Sequence, residues 1–77
     1  MRKQETVEEQ ILSLLYTDYP LRGTEIADAL KLNQGTIYVQ ASRAKFDGLL
    51  KQTTEKAYQL TAFGERYTEW LAQRPTR

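Results

Sequence analysis

The sequence contains no cysteine and no histidine. Disulfides, the usual zinc ligand sets and every catalytic arrangement built on a thiol or an imidazole are excluded at once. Long apolar runs are missing as well. No stretch approaches the roughly 20 residues that a membrane helix needs, and the polar opening MRKQETVEEQ is unlike a signal peptide. Charge of one sign is scarce, since 11 bases nearly cancel 10 acids and leave a net +1. Only two prolines and four glycines interrupt 77 residues. That leaves room for regular elements around one core, near the lower size at which chains fold without staples. The expectation is one domain over residues 1–77, frayed at 1–5 and 74–77. No catalytic residue, metal, cofactor or membrane contact is expected, and a reducing, cytoplasmic setting fits.

Charge is distributed less evenly than its sum. Residues 5–18 carry Glu5, Glu8, Glu9 and Asp18 with no base, whereas residues 31–51 carry Lys31, Arg43, Lys45 and Lys51 against Asp47 alone. Such a split can orient a nearly neutral molecule towards a polyanion. The adjacent Glu8 and Glu9 read as helix-start residues rather than a catalytic carboxylate pair, and LRGTE is too short for a phosphate-binding loop.

Local signals place the elements. Thr6 with Glu9 three residues on is a capping box, and Val7, Ile11, Leu14 and Leu15 then recur at the spacing of an amphipathic helix. DYPLRG ends that helix, and Thr24 is expected to cap a second, running to about Leu30 with Ile26, Ala27 and Leu30 inward. KLN is a tight link with Leu32 as its apolar plug. Asn33 or Thr36 caps a third helix that reaches about Asp47, and Gly48 stops it. Leu49–Thr53 and Lys56–Leu60 flank the polar turn TTEK as a small β-hairpin, with Tyr58 and Leu60 alternating around Gln59. Thr61 caps a last helix in which Phe63, Tyr67, Trp70 and Leu71 form one stripe. Helix, helix, short turn, helix, hairpin, helix is the order of a winged helix-turn-helix, mainly α with a small β-hairpin.

The third helix raises the functional question. Ile37, Ala41, Ala44 and Gly48 fall on one side, with Val39, Ser42, Arg43 and Phe46 roughly opposite. Gln34, Thr36, Gln40 and Arg43 are types that read or position on base edges in a major groove, and Tyr38, Lys45, Lys51 and Lys56 suit phosphates. Arg22 and Lys31, flanking the second helix, could clamp the backbone as well. The bland alternative is a solvated, amide-rich face. Val39 can touch a thymine methyl, whereas Phe46 is expected to pack on the hairpin, with a second subunit as the alternative. The stripe on the last helix is expected to be mainly core; as a dimer seam it would involve Tyr67, Trp70 and Leu71, with Tyr16 and Tyr19 beside it.

GTIY at Gly35–Tyr38, DGLL at Asp47–Leu50 and KAYQLTAFG at Lys56–Gly64 together resemble winged-helix regulators of the PadR and MarR type. The resemblance covers roughly residues 7 to 72. It implies a dimeric transcription regulator on double-stranded DNA, associated with the nucleoid, with the third helix in the major groove and the hairpin near the minor groove. Gln34, Thr36, Tyr38 and Arg43 match positions that meet DNA in such proteins. The hairpin tip departs from the pattern, since TTEK has no arginine and Lys56 is the nearest substitute. Use of the same fold as a protein-interaction module, through Val39 and Phe46, is the alternative.

Overall fold

The computed structural model describes residues 6–73. The expected fraying at 1–5 and 74–77 lies outside them. Helix α1, Val7–Thr17, begins as the sequence predicts: Thr6 Oγ1 accepts from the Glu9 N–H at 3.1 Å, and Glu9 Oε1 accepts from the Thr6 N–H at 3.3 Å. Ile11, Leu12 and Leu15 are buried, while Val7 and Leu14 are half-buried beside them. Leu12, outside the expected stripe, is as deep as any residue in the protein.

Strand β1, Leu21–Arg22, stands where only a turn was expected. It is too short for any alternation to show in sequence, and only its partner strand identifies it. Helix α2, Gly23–Leu30, starts one position before Thr24, so Thr24 is not its cap. The N-cap is Arg22, whose backbone N–H donates to Glu25 Oε1 at 2.8 Å. The helix ends at Lys31 in the left-handed region (φ 57), with the Leu32 N–H donating to the Ala27 carbonyl at 3.0 Å. That closure folds the half-buried Leu32 back onto the core.

Helix α3, Gln34–Phe46, is capped by Asn33, whose Oδ1 accepts from the Gly35 N–H at 2.7 Å. Its inner face of Ile37, Ala41 and Ala44 packs on α1 and α2. Two alanines on this face remove bulk and let the helices approach closely. Gly48 (φ 84) turns the chain into β2, Leu50–Gln52, which pairs antiparallel with β3, Ala57–Leu60. β1 pairs with the other edge of β3, Leu21 opposite Tyr58, giving a three-stranded sheet in the order β1-β3-β2.

Helix α4, Ala62–Gln73, follows a dense corner. Thr61 Oγ1 accepts from the Gly64 N–H at 2.9 Å and donates to the Gly48 carbonyl at 2.6 Å, while the Thr61 N–H donates to the Leu49 carbonyl at 3.0 Å. Gly64 lies so close to the Leu49 carbonyl that a Cβ there would overlap it.

The apolar stripe on α4 is not the core face that was expected. Gly64 and Thr68 are buried and Tyr67 and Leu71 half-buried, but Phe63 and Trp70 are 59% and 55% exposed. The closest approach to the rest of the fold is made through small residues, which rotates the large aromatics to one flank. Phe46 likewise departs from expectation. It is 91% exposed, so it does not pack on the hairpin.

Candidate nucleic-acid interface

At about 100° per residue, α3 presents three rows to solvent. The outermost, opposite Ile37, Ala41 and Ala44, is Gly35, Val39, Ser42 and Phe46, all exposed. One flank carries Thr36, Gln40 and Arg43; the other carries Gln34, Tyr38 and Lys45. Gln34, Thr36 and Arg43 are exposed as expected, but Gln40 is half-buried, because its row leans towards the core.

Tyr38 is only partly available. It is 43% exposed, and its ring edge lies where a Cβ on the buried Gly23 would sit. Glycine at the start of α2 thus makes the seat for the ring. Burial, followed by the nearby Tyr38 phenol, raises the Tyr58 phenol above its ordinary range.

The hairpin adds bases beside α3. Lys56 sits at the turn in the left-handed region (φ 65), whereas Lys51 is exposed on the face of β2 opposite Leu50 and Gln52. Lys45 Nζ donates to Gln52 Oε1 at 3.1 Å, and Gln52 Nε2 donates to the Lys56 carbonyl at 3.4 Å. Gln52 therefore links the last turn of α3 to the base of the hairpin. Sequence reasoning passed over it, since its role depends on β2 returning alongside α3. Within the turn, Thr53 Oγ1 accepts from the N–H groups of Glu55 and Ala57 at 3.2 and 3.1 Å. These bonds tie the two sides of the turn to the Thr53 hydroxyl.

Asp47 caps the end of α3 and Glu55 lies in the hairpin turn, while the remaining acids among the described residues lie on other elements. Glu8 and Glu9 lie on α1, Glu65 and Glu69 on α4. Tyr16 donates to Glu69 Oε2 at 2.6 Å across the two helices. That hydrogen bond raises the Tyr16 phenol above its ordinary pKa, with desolvation and the Glu69 and Glu65 charges adding to it. Nearby, an open groove of about 400 Å³ between α1 and α4 is lined by Glu9, Ser13, Tyr16, Glu69 and Leu71 among others, none of them on α3. Among the described residues there is no group of three or more acids that could hold a metal ion, and no helix is long and apolar enough to cross a membrane.

No family model and no curated protein matches the sequence. Solved structures do match. A MarR/EmrR family transcriptional regulator from Acinetobacter sp. ADP1 superposes with a TM-score of 0.82 at 18% identity, over 91% of this chain and 51% of its own. MepR, a transcription regulator of the Staphylococcus aureus multidrug efflux pump MepA, gives 0.80 at 22% identity, over 86% and 52%. The transcriptional regulator Tm0710 from Thermotoga maritima gives 0.76 at 29% identity, over 90% and 53%. The chain thus shares the winged helix-turn-helix fold of MarR-type regulators and spans about half the length of these structures.

Proposed function

We propose that this chain binds double-stranded DNA as a transcription regulator, with α3 in the major groove and the hairpin beside it. The observation that carries the reading is the exposed polar and basic flanks of α3, with β2 packed beside it. Thr36 and Arg43 line one flank of α3 and Gln34 and Lys45 the other, with Lys56 at the hairpin turn beyond them. Arg43 is placed to pair with guanine, and Gln34 with adenine, while the lysines suit phosphates. Gln40 and Tyr38, each partly covered, reach the sugar–phosphate edge rather than the groove floor. A protein with this role resides in the cytoplasm with the nucleoid.

The exposed aromatic flank of α4 supports a homodimer in which Tyr67, Trp70 and Leu71 of two copies meet. Tyr67 and Trp70 already stack, with ring centroids 5.8 Å apart. A two-fold pair would present two copies of α3 to successive half-sites. Sedimentation of Trp70→Ser tests this; a sedimentation coefficient equal to that of the unaltered protein removes Trp70 from the seam.

Fluorescence anisotropy of a labelled mixed-sequence duplex, titrated at several salt concentrations, tests the main reading. Binding with a log–log salt slope of several units is expected from phosphate neutralisation. Arg43→Ala should weaken binding to a selected site by about 1–3 kcal/mol. Absence of binding at low salt refutes the proposal.

One observation favours a second reading. Phe46 at 91% exposure and Val39 at 52% share the outermost row, as on a surface that docks a protein. Phe46→Ser separates the two uses: loss of a co-purifying protein with DNA affinity retained supports the interaction module.

A further inference from the structure

The outermost row of α3 is chemically unlike its flanks. The groups placed to form hydrogen bonds with bases lie to either side, in Gln34, Thr36 and Arg43. The line that would lie deepest in a groove reads Gly35, Val39, Ser42, Phe46. Gly35 and Ser42 are small, so Val39 and Phe46 stand out as two apolar knobs. Gly35 leaves this row without a side chain in the first turn, letting the backbone come close to whatever lies opposite. Arg43 and Lys45 on the two flanking rows match a polyanion, which assigns the occupant of this face as nucleic acid.

On the floor of a major groove the apolar group available is the C5-methyl of thymine. We infer that Val39 and Phe46 read 5-methyl pyrimidines, so that sites bound by this protein carry thymine at two places set by the spacing of the two knobs. Seven residues advance about 10.5 Å along a helix, or about three base-pair steps of roughly 3.4 Å. Arg43, between them in sequence and on the adjoining row, is placed for a guanine within that interval. The inference rests on the DNA-binding reading and narrows it to the chemistry of the site.

Deoxyuridine isolates the effect, because it keeps every hydrogen-bonding group of thymidine and removes only the methyl. Duplexes selected by the protein from a random pool are resynthesised with deoxyuridine at one thymidine at a time, and affinities are compared. Losing a contacted methyl should weaken binding about fourfold, at two positions about three base pairs apart. Val39→Ala should abolish the sensitivity at one position and Phe46→Ala at the other. Both side chains are exposed, so neither variant threatens the fold. Selected duplexes bound equally well with and without the methyls overturn the inference and leave DNA binding standing. Sensitivity that survives in both variants also overturns it, since the methyls then act through DNA shape. A protein that enriches no duplex overturns the DNA-binding reading, and this inference with it.

Discussion

Gly64→Ala provides the sharpest test of how the hairpin is held to the rest of the fold. A Cβ at this position overlaps the Leu49 carbonyl, which is backbone and cannot swing aside. Either α4 or the start of β2 has to move. Overpacking of this kind costs about 1–3 kcal/mol. The same carbonyl accepts from the Thr61 N–H at 3.0 Å, so its displacement strains a bond with a net worth of about 1 kcal/mol. Against this, alanine gains up to about 1 kcal/mol over glycine in a helix. The balance is a loss of about 2 kcal/mol, with a melting temperature roughly 8–16 °C lower for a domain of this size. Thermal unfolding followed by far-UV circular dichroism measures it. A variant melting within about 4 °C of the unaltered protein would show that the corner is looser than its geometry, and that Gly64 is no structural requirement.

Gly23→Ala is the companion case with a milder outcome. Its Cβ meets the far end of the Tyr38 side chain, which can rotate away, so the stability loss should be about 1 kcal/mol or less. A displaced Tyr38 ring should show as altered tyrosine fluorescence. Phe46→Ser should leave the melting temperature nearly unchanged, within about 0.5 kcal/mol, because the ring is 91% exposed; a large loss would mean that Phe46 is packed after all. Tyr16 carries a pH prediction. The folded state holds its phenol proton more tightly than the unfolded chain, so the stabilisation is complete below the ordinary value near 10 and fades as pH rises through the higher folded value. Tyr16→Phe should therefore flatten the fall in melting temperature above about pH 10; identical profiles would dismiss the Tyr16–Glu69 bond as a contributor.

The open groove between α1 and α4 and the row on α3 are both solvent-facing, yet they differ in charge. Glu9 and Glu69 border the first, and Arg43 and Lys45 flank the second. A polyanion is repelled by one and attracted by the other, which gives the molecule a preferred face despite a net charge of only +1.

The amino-acid order by itself determined the helices, the hairpin and thus the winged-helix architecture. Their signals are local: a capping box at Thr6 and Glu9, a cap at Asn33, a left-handed turn at Gly48, alternation of Tyr58 and Leu60 around Gln59. Periodicity also identified the inner face of α3, because Ile37, Ala41 and Ala44 recur at helical spacing. Tertiary structure decided the rest. Leu21 and Arg22 are a strand only because β3 offers them an edge. Phe63 and Trp70 belong to an apolar stripe, but their burial depends on how α4 rolls, and the contact of Gly64 with Leu49 sets that roll. Gln52 acquires a role only when β2 returns beside α3, and Tyr38 loses part of its exposure because Gly23 leaves room for its ring. Hydrogen bonds between near neighbours are written in local order. Which face of an element meets another is a balance of volumes among residues far apart in the chain, and only the folded structure strikes it.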